Sequence, residues 1–397
     1  MNHPSTEKLS FSFNNTEIAF QSKTNAQLNK AHLLFKALGY SWLVNAGPGL
    51  VSMAFKLRLP ITGIIKKTIF AQFCGGENIN ECQDAIKVLN SYGIGTILDY
   101  SVEGEESVEA FEATAEETIQ TINKAINNPA IPFSVFKVTG VARFHLLQQW
   151  STRKPLNEAE QKEFDTTFNR INRICEHAYK NHVRIFIDAE ETWIQPAIDY
   201  IAEKMMSLYN QKECIVYNTL QFYRHDRLAF LKESHKIAQE KKYILGVKLV
   251  RGAYMEKERE RALELGYASP IQPDKQSSDI DYNAALKYCI EHINEIYVCA
   301  GTHNEDSSYY LAELMKTFNI PNNDNRIYFS QLLGMSDHIS FNLAKEGYHV
   351  AKYVPYGPVK SVLPYLIRRA QENSSAKGQA GRELNLIETE LKRRKLL

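Results

Sequence analysis

The sequence predicts an α/β protein, a (β/α)8 TIM-like barrel preceded by an all-helical N-terminal arm. The chain has 397 residues, of which 44% are hydrophobic and 23% charged, the composition of a folded globular protein. After Gly93, short runs rich in β-branched and aromatic residues alternate with longer amphipathic stretches. Eight such strand–helix units fit into about 280 residues, which is the number and length that a closed barrel requires.

The first 90 residues show helical spacing only. Between Asn25 and Phe73 apolar residues recur every three or four positions, and Pro48 and Pro60 predict breaks in the helices. The most apolar stretch, from Tyr40 to Phe55, is shorter than the ~20 residues of a membrane-spanning helix and predicts a buried or membrane-surface helix. Several of its apolar side chains can either cover the barrel or contact a membrane: Leu43, Val44, Leu50, Val51 and Phe55.

Eight continuously apolar runs predict the strands, because strands that are buried on both faces of a parallel sheet lack the alternation of polar residues. In chain order they lie at 95–100, 133–140, 184–191, 214–221, 244–254, 296–304, 326–333 and 349–357. We therefore expect the barrel with its binding sites over residues 91–380, between a helical arm (1–90) and a C-terminal helical tail (381–397).

Composition excludes several classes of function. The formal net charge of +1 gives no general attraction to nucleic acid. The six cysteines form no zinc-binding pattern and indicate reduced thiols in a cytoplasmic protein. The segment GIGTIL at 93–98 lacks the third glycine of a dinucleotide fingerprint and precedes a strand, so a Rossmann-type nicotinamide site is not expected.

Polar side chains occur at the carboxyl ends of the predicted strands, where barrel enzymes carry their active sites. In chain order they are Asp99, Lys137, Asp188, Gln221, Lys248, Arg251, Thr302, His303, Asn304, Gln331 and Tyr353. Cations beside amides and hydroxyls indicate an anionic or electron-rich ligand, such as a phosphate or a reduced flavin ring. No metal-ligand spacing occurs among them, so we expect no metal site.

The last barrel helix, around PYLIRRAQENSS, carries a second group of charges. Glu372 follows Arg368 by four residues and Arg369 by three, so its carboxylate can hold either guanidinium. Two adjacent arginines flanked by apolar residues form a forked donor set for one small carboxylate. For that use the helix must lie over the barrel mouth, which is a demanding structural prediction.

Four segments together resemble proline dehydrogenase, a family of FAD-dependent (β/α)8 barrels that oxidise L-proline to Δ1-pyrroline-5-carboxylate. They are VKLVRGAYMEKER (247–259), GTHNEDS (301–307), FSQLLGMSD (329–337) and YVPYGPVKSVLPYLIRRAQENSS (353–375). The resemblance runs from about Asp99 to Ser375, and the arm matches only loosely. It implies hydride transfer to the flavin N5 and a quinone as the electron acceptor.

The resemblance also implies roles for individual residues. Substrate contacts are implied for Lys137, Asp188, Tyr254, Tyr353, Tyr365, Arg368, Arg369 and Glu372. Cofactor contacts are implied for Gln221, Lys248, Arg251, Gly252, Ala253, Thr302, His303, Asn304 and Gln331. Many bacterial relatives carry Arg at the position of Lys248. The lysine of this chain keeps the positive charge but lacks the forked guanidinium donors near the flavin N5.

The resemblance implies partners and leaves two rival functions. A quinone acceptor implies a cytoplasmic protein that can lie peripherally at the inner face of the membrane, and the product implies a separate pyrroline-5-carboxylate dehydrogenase. The nearest rival is 4-hydroxyproline dehydrogenase, against which Tyr353 argues because hydroxyproline-preferring relatives tend to carry a smaller residue there. The more distant rival is a non-flavin barrel enzyme with Lys137 as a Schiff-base lysine.

Overall fold

The computed structural model describes residues 9–102, 106–375 and 379–397 and contains eight parallel strands. The strands are β1 Ile94–Tyr100, β2 Phe133–Lys137, β3 Arg184–Asp188, β4 Val216–Gln221, β5 Leu245–Val250, β6 Ile296–Gly301, β7 Ile327–Leu332 and β8 Val350–Tyr356. They follow one another in a closed order from β1 to β8. The predicted barrel class is therefore confirmed; seven of the predicted runs contain their strands, and β1 begins one residue before its run.

Helices precede the barrel and alternate with its strands. They are α1 Thr16–Ala19, α2 Asn25–Leu38, α3 Ser41–Lys56, α4 Thr62–Ile65, α5 Ala71–Phe73, α6 Gln83–Ser91, α7 Val108–Ala125, α8 Phe144–Ser151, α9 Glu158–Lys180, α10 Gln195–Tyr209, α11 Arg227–Lys241, α12 Met255–Leu265, α13 Lys275–Glu291, α14 Glu305–Thr317, α15 Asp337–Lys345, α16 Leu363–Ser375 and α17 Gln379–Arg393. A π-helical segment, Lys66–Phe70, joins α4 to α5, and a short 3₁₀ turn, Val138–Gly140, follows β2.

By its packing the described chain divides into two units. The central unit comprises Leu9 and residues 106–330 and contains β2 to β6 with most of β7. The terminal unit comprises residues 10–102, 331–375 and 379–397 and contains β1, β8, the helical arm, α16 and α17. The domain boundaries expected from the sequence stay a prediction.

The interior of the central unit begins with a layer of aromatic rings. Phe133 stacks on Phe186 with ring centroids 4.4 Å apart, and Tyr217 meets both rings edge-on. Arg184 lies 5.7 Å from the ring centroid of Phe133. Because side chains two residues apart on a strand point to the same side, this layer orients the polar residues that follow it, among them Asp188 two positions after Phe186.

The core of the terminal unit joins the arm to the last helices. Phe35 of α2 packs edge-on against Phe73 of α5, with ring centroids 6.2 Å apart. Both belong to a buried apolar cluster that also contains Leu366 of α16 and Leu391 of α17. The helical arm is thereby fixed against α16, which carries the two arginines.

Helix α3 differs from the sequence prediction in one respect. It continues through Pro48, where a break was expected, from Ser41 to Lys56. A proline removes only one backbone donor, and a helix can survive that loss when tertiary contacts hold both halves. The break expected at Pro60 is present, since α3 ends at Lys56 and α4 begins at Thr62.

The apolar residues of α3 have two different environments. Val44 is buried and Val51 is partly buried against the core of the terminal unit, so these two do not form an exposed face. Leu50 is half exposed to solvent. The side chains of Leu43 and Phe55 lie outside the described part of the chain. Among the residues that the structure describes, no helix is both long and apolar enough to cross a bilayer.

Candidate active site

A buried ion pair occupies the carboxyl end of three neighbouring strands in the central unit. The ammonium of Lys248 on β5 is paired with the carboxylate of Asp188, the last residue of β3. Thr219 on β4 lies between them, and its hydroxyl donates to Asp188 over 3.4 Å. The Lys248 side chain is only 4% exposed, and its nitrogen lies 5.0 Å from the ring centroid of Phe186. A cation is therefore fixed directly above the aromatic layer.

Glu190 is a second buried carboxyl group at the end of β3, and the sequence had not singled it out. It accepts hydrogen bonds from the backbone N–H of Thr139, over 3.0 Å, and from the Thr139 hydroxyl. Burial raises the pKa of Glu190 from its ordinary value to about 7, although the Thr139 hydrogen bonds and the charge of Lys137 act in the opposite direction. Glu190 therefore titrates near neutral pH at the same strand ends as Asp188.

Glu190 predicts a pH dependence of stability. Its folded pKa of about 7 lies above the value of about 4.3 expected in the unfolded chain, so the folded state holds more protons between these values. The contribution of Glu190 to stability is complete below its unfolded pKa of about 4.3 and is lost as the pH rises through its folded pKa of about 7. We expect the free energy of unfolding of the parent protein to fall by on the order of 3 kcal/mol relative to Glu190→Gln between about pH 4 and pH 8. Urea unfolding of both proteins across this pH range measures the difference. Parallel plots of the free energy of unfolding against pH for the parent and Glu190→Gln would contradict the prediction.

Arg251, just after β5, joins the ends of β5 and β6. Its guanidinium donates to Asp279 over 2.7 Å, to the Thr302 hydroxyl over 2.6 Å and to the Ser307 hydroxyl over 2.9 Å. Thr302 also accepts from the backbone N–H of Asn304, over 3.1 Å. Arg251, Thr302 and Asn304 therefore lie in one hydrogen-bonded group, and much of the arginine fork is engaged by the protein.

Gly252 allows the backbone after β5 to lie flat on an aromatic ring. Its φ of +133° is a conformation that residues with side chains rarely adopt, and a Cβ atom there would come within 2.4 Å of Cε1 of Tyr223. The hydroxyl of Tyr223 is itself buried and has no hydrogen-bond partner in the described part of the chain. Tyr223 is a second residue that sequence reasoning missed, because nothing in FYRHD distinguishes it from an ordinary core tyrosine.

The remaining predicted cofactor residues have identifiable surroundings. Gln221 is buried and donates to the carbonyl oxygen of Glu190 over 2.6 Å. Gln331, in the terminal unit, accepts from the Ser340 hydroxyl over 2.7 Å. Asn304 caps α14 by accepting the backbone N–H of Ser307 over 2.9 Å, which is a structural role in itself. His303 is half-buried and Ala253 is exposed.

In the terminal unit, α16 turns one polar edge inwards. Arg369 is 7% exposed and donates through Nη2 to Glu372 over 2.5 Å, while Arg368 is half-buried. The Arg369 guanidinium lies 5.1 Å from the ring centroid of Tyr365. Nε of Arg369 and the hydroxyl of Tyr365 are buried and have no hydrogen-bond partner among the residues that the structure describes. Buried polar atoms are seldom left unpaired, so these two donors mark a place for an acceptor group.

Tyr365 connects α16 with the carboxyl end of β1. Burial is the main cause that raises the pKa of its hydroxyl, and the nearby negative charge of Asp99, the sixth residue of β1, raises it further. The neutral hydroxyl is therefore kept as a hydrogen-bond donor. Tyr353 on β8 is buried in the same unit. The position of α16 over the barrel mouth, and of Lys137 relative to the arginines, stays a prediction.

Comparison with known proteins adds a family assignment to this geometry. A family model described as proline dehydrogenase matches residues 82–382. Proline dehydrogenase 1, mitochondrial, of Dictyostelium discoideum is 33% identical, over 96% of this chain and 74% of its own length. Hydroxyproline dehydrogenase of Xenopus laevis is 31% identical, over 94% of this chain and 88% of its own length.

A solved structure shares the fold. It is proline utilization A from Bdellovibrio bacteriovorus inactivated by N-propargylglycine, with a TM-score of 0.71 and 19% identity. The match covers 92% of this chain and 36% of that longer protein. At this level of identity the likeness concerns the barrel fold alone.

Proposed function

The chain belongs to the proline dehydrogenase family, and from this premise we propose that it oxidises L-proline to Δ1-pyrroline-5-carboxylate with FAD as its resident cofactor. The observation that carries the proposal is the pair of unpartnered buried donors on α16, Nε of Arg369 and the hydroxyl of Tyr365. A small carboxylate such as that of proline would satisfy both.

The donor set at the strand ends of the central unit fits a flavin. The buried ammonium of Lys248 is suited to stabilise negative charge that develops on an electron-rich ring, and Gln221 adds a buried amide at the end of the neighbouring strand β4. Gly252 lets the backbone beside Arg251 pack directly against the ring of Tyr223. Thr302, His303 and Asn304 at the end of β6, with Gln331 and Ala253, complete the set that would hold the cofactor. When bound, FAD supplies the two-electron acceptor for the hydride that leaves the ring carbon next to the nitrogen.

The other proposed residues bind and orient the substrate. Arg368 and Arg369 bind the carboxylate, with Lys137 as the third cation, and Glu372 holds the Arg369 fork in one orientation. Tyr254, Tyr353 and Tyr365 contact the ring of proline. Asp188 holds Lys248 in place through their ion pair. Such positioning can account for about 7–11 kcal/mol of the reduction in the barrier.

The experiment for this proposal measures turnover with the purified protein. We expect L-proline to reduce an artificial dye acceptor, and N-propargylglycine, which inactivated the solved relative, to abolish that activity. A protein that reduces the dye with neither proline nor hydroxyproline would contradict the proposal.

4-Hydroxyproline is the second candidate substrate, because the Xenopus laevis relative named for it is similar over most of both chains. Tyr353 leads us to place proline first, since the resemblance implies a smaller residue at this position in enzymes that prefer hydroxyproline. The ratio of kcat/KM for the two substrates decides between them. The family assignment gives no support to the Schiff-base use of Lys137.

We also propose that electrons pass to a quinone at a membrane surface, and the helical arm supports this. From Ile18 to Gly76 the sequence contains no Asp or Glu but seven basic residues, whereas the whole chain has a net charge of +1. The basic residues are Lys23, Lys30, Lys36, Lys56, Arg58, Lys66 and Lys67. Trp42, Leu50, Met53 and Leu57 are exposed at helical spacing on and just after α3. An apolar stripe within a basic, acid-free segment fits an anionic bilayer.

Replacing Leu50 and Met53 together with Glu tests this surface. The parent protein should sediment with vesicles of phosphatidylcholine and phosphatidylglycerol, less with pure phosphatidylcholine, and the double variant should stay in the supernatant. Leu208→Glu, an exposed leucine on α10, is the matched control and should bind like the parent. Equal sedimentation of all three proteins would exclude this face as the membrane-binding surface.

In this proposal the product passes to a separate pyrroline-5-carboxylate dehydrogenase. The protein is cytoplasmic and lies peripherally at the inner face of the membrane.

A further inference from the structure

Helix α12, which begins directly after Tyr254, is fastened to the loop that follows Asp188. The carboxylate of Glu258 accepts the backbone N–H of Thr192 over 2.7 Å and the Thr192 hydroxyl over 2.6 Å. The adjacent Lys257 pairs with Glu191 over 2.5 Å, and about one turn further on the Arg261 guanidinium lies 4.4 Å from the ring centroid of Trp193. Glu191, Thr192 and Trp193 are consecutive, so three side chains of α12 hold one short loop.

Glu258 is the buried member of these contacts. It has no solvent exposure, whereas Glu256, Lys257 and Glu260 around it are exposed. A carboxylate is costly to bury, and burial raises the pKa of Glu258 despite the Thr192 hydrogen bonds. Packing alone would favour an apolar residue at such a position. A buried carboxylate that accepts two hydrogen bonds instead specifies how the helix and the loop meet.

Together with two short segments of the chain, these contacts form a closed ring through residues that the proposed function uses. The Glu258 backbone N–H donates to the carbonyl oxygen of Tyr254 over 2.9 Å, which ties the carboxylate to the first turn after Tyr254. Thr192 lies four residues after Asp188. Asp188 pairs with Lys248, six residues before Tyr254. The ring therefore runs from Asp188 through Lys248, Tyr254, Glu258 and Thr192 back to Asp188, and it spans the ends of β3, β4 and β5.

We propose that Glu258 is a positioning residue for proline oxidation, which through Thr192 fixes Tyr254 relative to the Asp188–Lys248 pair. It need not touch the substrate. The inference rests on the proposed function, because Tyr254 matters to catalysis only if its ring contacts proline. It adds to that function a connection between the loop after β3 and the segment after β5. These two strands are not neighbours, because β4 lies between them.

The test compares three glutamate variants by kcat/KM for L-proline. Glu258→Met removes both hydrogen bonds at similar volume and should lower kcat/KM by about 10- to 100-fold, the range expected for small misplacements of a contact residue. Glu258→Gln can still accept the Thr192 N–H and donate to its hydroxyl, and should stay within about threefold of the parent. Glu264→Met, at an exposed position of the same helix, should behave like the parent. Thr192→Val removes only the hydroxyl contact, and it replaces Glu258→Met in this test if that variant fails to fold.

A double-mutant cycle separates positioning from mere structural support. If Glu258 acts through Tyr254, then Glu258→Met should cost much less in a Tyr254→Ala background, which lacks the ring, than in the parent. A purely structural role would lower Tm and reduce kcat/KM by the same factor in both backgrounds, which would overturn the inference, as would parent-like kinetics of both Glu258→Met and Thr192→Val. A parent enzyme that does not oxidise proline would instead refute the proposed function.

Discussion

Replacing Arg369 with Met raises the KM for L-proline by about 100- to 1,000-fold, while the flavin stays bound. The expected loss of about 3–4 kcal/mol is that of a buried, charge-assisted pair with a carboxylate. Protein stability should also fall, because burial already raises the pKa of Glu372, the partner left behind, and the variant removes the positive charge that opposes this rise. Steady-state kinetics with a dye acceptor, together with the flavin absorbance of the purified variant, measure both quantities.

Two further variants sharpen this prediction. Arg369→Lys keeps the charge but loses the fork, so its KM should lie between those of the parent and the Met variant. Arg173→Met removes an arginine that is 46% exposed and forms ion pairs with Glu112 and Glu116 at the surface, and it should leave KM unchanged. An Arg369→Met enzyme with the KM of the parent would show that α16 does not bind the substrate carboxylate.

Lys248→Met lowers the free energy of unfolding by about 3–5 kcal/mol, because it leaves the partly buried carboxylate of Asp188 without its cation. The matched control is Lys241→Met, which removes a 44% exposed lysine paired with Glu203 over 2.6 Å and should cost about 1 kcal/mol or less. Urea unfolding of the three proteins under the same conditions measures the difference.

The double variant Asp188→Leu with Lys248→Met checks the cause. It removes both charges and should recover a large part of the stability lost in Lys248→Met, while remaining inactive towards proline. If Lys248→Met costs no more than the surface control, the ion pair is not held in a low-dielectric interior.

The barrel was predictable because its strands are buried on both faces, which leaves a continuous apolar run in each strand. The strand-end residues followed from the barrel, since parallel strands present their carboxyl ends on one side. The path of α3 through Pro48 was not predictable, because the contacts that hold both halves of that helix come from elsewhere in the chain. Tertiary packing outweighs a local signal there.

The buried carboxylates were the least visible part of the site. Glu258 lies in MEKERER, where six of seven residues are charged, and no pattern shows which of them faces inwards. Glu190 had a readable signal, because in an extended segment it points to the same side as Asp188, two residues earlier. Tyr223 had none, since its importance depends on the φ of Gly252, nearly thirty residues later.

The most direct measurement is anaerobic mixing of the purified protein with L-proline while the flavin absorbance is recorded. The proposed function predicts a yellow protein whose absorbance is bleached by L-proline, and more slowly by 4-hydroxyproline. In Arg369→Met the bleaching should require far higher proline concentrations. A colourless protein, or a yellow one that L-proline does not bleach, would contradict the assignment of this barrel as a flavin-dependent proline dehydrogenase.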